Sequence, residues 1–147
     1  MSGATGPDEA ELAREIAALA TALRKQYSFW PSERGLLAWD VHRLIVLSRP
    51  LPIVEVPLEE IFEYDEAYWY GDPVERPTVR SLVEHMKLIE AATFEHPILL
   101  GASGRVMDGM HRVAKAHLEG RRTIAARRFV VDPEPDYVGR TAAELPY

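Results

Sequence analysis

The chain has 147 residues, 47% of them hydrophobic, and a formal net charge of -6. This composition predicts one folded domain with a core and argues against disorder and against non-specific DNA binding, which depends on neutralising phosphates. The absence of cysteine excludes disulfides, thiol catalysis, iron–sulfur clusters and cysteine-based zinc sites. The first residues do not resemble a signal peptide, and no apolar run is long enough to span a bilayer, so we expect a cytoplasmic protein without membrane contact.

The first third of the chain predicts a helical extension over residues 1–50. Residues 1–7 are expected to form a loose tail, and a helix capped by Asp8 follows. A second helix is expected to begin at about Ser32 and to end before Arg49-Pro50. The first helix carries an apolar stripe that predicts docking on the core or, as the sharper alternative, a homodimer through this helix. The stripe consists of Leu12, Ile16, Leu19 and Leu23.

The middle of the chain begins with a short strand over Leu51–Pro57, whose prolines favour the edge of a sheet. One helical turn to Ile61 leads into an acidic and aromatic loop over residues 63–77, and long ordered loops are often functional. Its rings, among them Trp69, could stack on a nucleobase, although filling the space under the loop is favoured. Thr78 is expected to cap a third helix.

The most informative segment follows. His96–Leu100 predicts a strand, Arg105–Met107 a second strand that pairs back on it, and Gly109–Glu119 a helix. A last strand is expected over residues 123–131, before a proline-rich tail over residues 133–147.

The start of the Gly109–Glu119 helix predicts a phosphate site. A helix N-terminus exposes unpaired N–H groups, and glycine allows an anion to approach the backbone closely. Gly109, Met110, His111 and Arg112 are therefore the candidate binding residues. Asp108 is either the N-cap of this helix or a carboxylate that orients Mg²⁺ or water beside the phosphates. The other histidines (His42, His85, His96 and His117) show no paired ligand spacing, so we expect structural or surface roles for them and no zinc.

The order of elements from Ile53 to Phe129 resembles the ParB/sulfiredoxin superfamily. The resemblance rests on Ile53–Ile61, the helix over Thr78–Ala92, the segment His96–Ala114 with its Asp-Gly-Met-His-Arg turn, and Gly120–Ile124. It implies an α/β (α+β) fold, a small mixed sheet with flanking helices, over residues 51–132. It also implies that Gly109, His111 and Arg112 hold nucleotide phosphates.

Members of this family use CTP, ATP or ADP, so the resemblance implies one of these nucleotides, with Mg²⁺, as the ligand. Met110 occupies the position of the reactive cysteine of sulfiredoxins, which argues against that activity. Partitioning members carry a helix-turn-helix region that the sequence given does not show, so we expect no DNA binding by this chain on its own. A kinase-like reaction would need a carboxylate, and Glu59, Glu60 and Asp65 remain alternatives for it, with Asp108 nearer the turn.

Two main hypotheses follow for the function. The first is a nucleotide-binding protein with a weak NTPase or phosphotransferase activity, in which Glu60, Asp65 or Asp108 would act catalytically. The second is a non-enzymatic binding or dimerisation module of the same fold. A structural domain that binds no nucleotide is the third alternative, and the sequence does not decide whether the protein is an enzyme.

Overall fold

The computed structural model describes residues 8–71 and 76–147. The predicted loose tail over residues 1–7 and residues 72–75 of the predicted aromatic loop lie outside this range. The elements, in chain order, are α1 (Glu9–Ala22), β1 (Tyr27–Ser32), β2 (Gly35–Asp40), α2 (Val41–Ser48), β3 (Val54–Pro57), α3 (Val79–Ala91), β4 (Ile98–Leu100), β5 (Val106–Asp108), α4 (Met110–Leu118), β6 (Thr123–Arg128) and β7 (Tyr137–Val138). Short 3-10 turns cover Leu58–Glu60, Phe62–Asp65, Tyr68–Tyr70 and Ala142–Glu144.

The expected mixed α+β class is confirmed, with four helices, one three-stranded sheet and one four-stranded sheet in the described residues. The chain divides into two compact units. Unit 1 contains the residues up to Pro52 together with Phe129–Tyr147, and unit 2 contains Ile53–Arg128. No helix in the described ranges is long and apolar enough to cross a membrane.

Unit 1 differs from the predicted helical extension. The helix expected from Ser32 is instead the hairpin β1–β2, and α2 begins only at Val41. The residues Glu33 and Arg34 close the hairpin, and Gly35 directly after them takes a left-handed backbone (φ 102°), which glycine adopts without the cost of a Cβ. The side chain of Ser32 holds the turn, because it accepts from the Arg34 N–H and donates to the Gly35 carbonyl.

The rest of unit 1 packs around this hairpin. Asp8 caps α1 as predicted, and α1 lies along α2, where its stripe is half-buried up to Leu19. The proline-rich segment at residues 132–136 has no regular structure, but the C-terminal tail is not loose, because β7 pairs with β2 and extends the sheet to β1-β2-β7. The last predicted strand was too long, since β6 ends at Arg128.

Unit 2 contains the four-stranded sheet in the order β3-β6-β4-β5. The strand β4 runs parallel to β6, and the other pairs are antiparallel. The predicted edge position of the proline-flanked β3 and the pairing of β5 back on β4 are both confirmed. The helix α4 packs on this sheet and buries an apolar core with it, formed by Ile98, Leu100, Val106, Met110, Val113, Ala116, Ile124 and Ala126.

Candidate phosphate site at the start of α4

Gly109 joins β5 to α4 in a conformation that requires glycine. Its backbone has φ 112° and ψ 18°, in the left-handed region. A Cβ atom at this position would lie 2.5 Å from Ile98 Cγ2 and 2.9 Å from Ile98 Cβ. The glycine therefore permits both the turn into α4 and the close packing of that turn on β4.

The N-terminus of α4 has no side-chain cap, unlike the other three α-helices in the described ranges, which are capped by Asp8, Asp40 and Thr78. Asp108 is not the N-cap. Gly109 takes that position, and the Asp108 carboxylate instead accepts from Arg112 Nη2 at 2.9 Å. No side chain caps the first turn of α4, and the helix dipole favours negative charge there.

Arg112 acts first as a clamp. Its Nη1 donates to the carbonyl oxygens of His96 (2.6 Å) and Pro97 (2.9 Å), and its Nη2 donates to Asp108. A guanidinium has five N–H donors, so two remain beyond these three contacts. Arg112 therefore links the residues before β4 to the start of α4, and only two of its five N–H donors remain for a ligand.

His111 lies in an aromatic cluster that spans three elements. Its Nε2 is 2.9 Å from Nδ1 of His85 on α3, within hydrogen-bond distance. Both imidazoles stack on the indole of Trp69, with ring centroids 4.6 Å and 4.3 Å from the Trp69 centroid. The cluster of Trp69, His85 and His111 fixes the orientation of the His111 ring beside the uncapped helix end.

Two side chains from the segment before α3 cover the open edge of β5. Glu63 accepts a hydrogen bond from the Val106 N–H, and the Tyr68 hydroxyl donates to the Val106 carbonyl at 2.8 Å. Because β5 is the last strand of its sheet, these bonds satisfy backbone groups that would otherwise be exposed at an edge.

Two titratable side chains at this edge have raised pKa values. Burial raises the pKa of Glu63, while its hydrogen bond from Val106 and the nearby Arg105 guanidinium act in the opposite direction. Burial also raises the pKa of the Tyr68 phenol, and the carboxylates of Glu63 and Asp108 add to that effect. Tyr68 is therefore a neutral donor at neutral pH, and Asp108 lies close enough to affect it.

The structure separates the predicted site residues. Gly109, His111, Arg112 and Asp108 lie together at the start of α4, whereas Glu59, Glu60 and Asp65 are exposed at the 3-10 turns. Tyr64, the neighbour of Asp65, contacts His117 near the other end of α4. The Met110 side chain is in the core, so only its backbone N–H faces the candidate site.

Sequence reasoning did not find Glu63, nor the proximity of Trp69 and His85 to His111. In the described part of the chain, no group of three or more histidine, aspartate or glutamate side chains is arranged to hold a metal ion. Comparison of the chain with protein-family models, curated proteins and solved structures finds no match in any of the three. The ParB/sulfiredoxin resemblance therefore stays a prediction.

Proposed function

We propose that unit 2 binds the phosphate groups of a nucleotide at the N-terminus of α4, as its resemblance to the ParB/sulfiredoxin superfamily implies. The observation that carries this proposal is the start of a nine-residue helix without a side-chain cap, directly after a glycine whose left-handed backbone turns the chain from β5 into the helix. Oxygen atoms of a phosphate are suited to accept from such N–H groups.

The roles within this proposal follow from the contacts. The backbone N–H groups of Met110 and His111 would bind phosphate oxygens, and the His111 imidazole would add a side-chain contact. Arg112 holds the turn in place and offers its two remaining donors. Asp108 is the carboxylate nearest this turn and is the best placed of the predicted catalytic residues for any NTPase or phosphotransferase reaction.

The ligand in this proposal is ATP, ADP or CTP. Mg²⁺ would arrive with it, because Mg²⁺ keeps several waters and binds through substrate phosphates with one or two carboxylates. The described residues offer Asp108 for that contact. Glu60 and Asp65 are exposed and would need the ligand to extend toward the 3-10 turns.

A thermal-shift series tests this proposal. Each nucleotide is added with MgCl₂ at matched ionic strength, with sodium sulfate as the control for general anion effects. A nucleotide at one hundred times its Kd should stabilise the folded state by about 2.7 kcal/mol. The same mixtures, assayed for released phosphate, show whether binding is accompanied by turnover. No stabilisation by any of the three nucleotides would refute the proposal.

A different observation favours a second candidate, a non-enzymatic interaction module. The helix α3 buries none of its residues, and one face of it exposes four apolar side chains at helical spacing. These side chains are 43% to 80% exposed and comprise Val79, Leu82, Val83 and Met86. Such a patch is typical of a protein contact. The variant Leu82→Glu, compared with wild type by light scattering over a concentration series, tests whether this face joins two copies.

A further inference from the structure

The apolar face of α3 is exposed, although an amphipathic helix at a protein surface ordinarily packs that face on the core. The helix is joined to α4 through polar and aromatic contacts instead. His85 meets the ring of His111, and Lys115 donates to the Glu90 carbonyl. The exposed apolar side chains, called the α3 face below, are Val79, Leu82, Val83 and Met86.

Four charged residues form a row beside the α3 face. They are Arg80, Glu84, Lys87 and Glu90, all of them exposed. Their spacings of four, three and three residues keep them on one side of the helix. Lys87 and Glu84 form an ion pair at 3.4 Å within this row, but exposed pairs contribute little, so both charges can change partner. The signs alternate along the row, and reading it from the other end therefore reverses the sign at every position.

This charge pattern is self-complementary when two copies of α3 pack antiparallel. With a two-fold axis near residue 85, Arg80 lies at the height of Glu90 of the second copy. Glu84 likewise lies beside Lys87 of the second copy, and Val83 meets Met86 of the second copy near the axis. The midpoints of these three pairs agree to within about one residue, or about 1.5 Å along the helix. A parallel pair would instead bring each charge against its own copy.

We propose that the α3 face is the interface of a homodimer in which the two α3 helices pack antiparallel. The proposal rests on the second candidate function, the interaction module, and does not involve nucleotide binding. Opposite charges across an interface favour one partner and one orientation, and like charges suppress the alternatives. One helix of 13 residues from each copy gives a contact at the small end of specific interfaces, so the dimer should form reversibly with concentration.

The helix α1, through which the sequence predicts a homodimer, offers a less exposed surface. Its apolar stripe is half-buried up to Leu19, and α1 lies along α2. The apolar side chains of the α3 face are each more than 40% exposed. Covering the α3 face therefore removes more apolar surface from water per residue, and this favours α3 as the contact.

Cysteine cross-linking of the full chain tests the orientation, because the sequence contains no cysteine that could compete. Met86 would lie about 3 Å in height from Met86 of the second copy, so Met86→Cys should form a disulfide-linked dimer under mild oxidation. Val79 belongs to the same face but would be about 18 Å in height from its own copy, so Val79→Cys should not cross-link. A parallel pair would cross-link both variants.

Sedimentation velocity over a concentration series tests the charge pairing. Arg80→Glu and Glu90→Lys should each raise the dimer Kd about tenfold or more, because each change places like charges together twice in the dimer. The double variant reverses both signs and should return the Kd close to that of wild type. Glu59→Lys is the matched control, since it makes the same charge change at an exposed residue outside α3 and should leave the Kd unchanged.

The outcomes separate this proposal from the function on which it rests. Leu82→Glu should abolish the dimer while circular dichroism shows a folded chain, and a dimer that survives this change refutes any contact of two copies through the α3 face. A dimer that is lost in Leu82→Glu, but that cross-links through Val79→Cys or is not restored by the double charge reversal, overturns the antiparallel arrangement alone. A wild type that stays monomeric throughout the series overturns a second copy as the partner of α3.

Discussion

Replacing Gly109 by alanine should destabilise unit 2 more than any other glycine substitution at a comparable turn. The left-handed backbone costs a residue with a Cβ about 1–2 kcal/mol. The new methyl group would lie 2.5 Å from Ile98 Cγ2, and overpacking of this kind costs about 1–3 kcal/mol more. The free energy of unfolding should therefore fall by about 2–5 kcal/mol in total.

Gly120→Ala is the matched control. Gly120 also has a positive φ (77°), but a Cβ there would meet nothing within 4 Å, so only the backbone cost applies. Urea denaturation, followed by circular dichroism, gives the free energy of unfolding for both variants. Ile98→Ala should reduce the effect of Gly109→Ala in a double-mutant cycle, because it removes the closest atom. Equal losses in the two glycine variants, with no coupling to Ile98, would refute this reasoning.

Three other predictions concern residues whose hydrogen bonds stabilise unit 1 or unit 2 from within. Glu63→Ala should cost about 1–3 kcal/mol, because it leaves the buried Val106 N–H unpaired, whereas Glu63→Gln can keep that bond. Burial raises the pKa of Glu63, so the folded state binds a proton more tightly than the unfolded state does. The free energy of unfolding of wild type should therefore fall as the pH rises above 4.5, the ordinary pKa of a glutamate. Urea denaturation at several pH values should show a weaker pH dependence of this free energy for Glu63→Gln. Arg112→Ala should lower the free energy of unfolding by about 1.5–3 kcal/mol. Arg112→Lys should recover only part of this loss, because Arg112 donates to the His96 carbonyl through Nη1 and to Asp108 through Nη2. Equal stability of wild type and both variants would contradict a stabilising role for these bonds. In unit 1 the Tyr27 hydroxyl donates to the Pro146 carbonyl, and burial raises the pKa of Tyr27 to about 12. Wild type should therefore lose stability between about pH 10 and 12, and urea denaturation should show a smaller loss over this range in Tyr27→Phe, because Tyr68 still contributes. At neutral pH, Tyr27→Phe should be less stable than wild type by about 0.5–1.5 kcal/mol.

Local signals predicted much of unit 2. Thr78 caps α3 with a capping box to Ser81, and β5 pairs back on β4 ahead of α4, as the pattern of apolar residues and glycines indicated. The left-handed Gly109 and the helix that follows it were also predictable. Each of these features depends on residues a few positions apart, so the sequence carries the information directly.

Unit 1 was harder to predict because helical and strand patterns overlap in it. Apolar residues between Leu36 and Ile45 fit a helix, yet the turn at Glu33–Arg34 and Gly35 favours a hairpin, and pairing with β7 stabilises the strand form. That pairing brings in residues about a hundred positions later. No local window contains this information.

The candidate site was predictable only in part, for the same reason. The start of α4 can be found from its glycine and its charged residues, but the side-chain partners cannot. His85 lies on another helix, and Arg112 bonds to carbonyl oxygens of His96 and Pro97, whose positions depend on β4. The sequence allows Asp108 as the N-cap of α4, but its carboxylate accepts from the Arg112 guanidinium, a charged donor only four residues away.

Isothermal titration of the full chain with ATP, ADP and CTP in the presence of Mg²⁺ tests the phosphate site most directly. Wild type should bind at least one of them, and His117→Ala should bind it equally well. His111→Ala, which removes one side-chain contact, should weaken binding by about tenfold to a hundredfold, the equivalent of about 1.5–3 kcal/mol for a charge-assisted hydrogen bond. Binding that is unchanged in His111→Ala, or a wild type that binds none of the three nucleotides, would contradict a phosphate site at the start of α4.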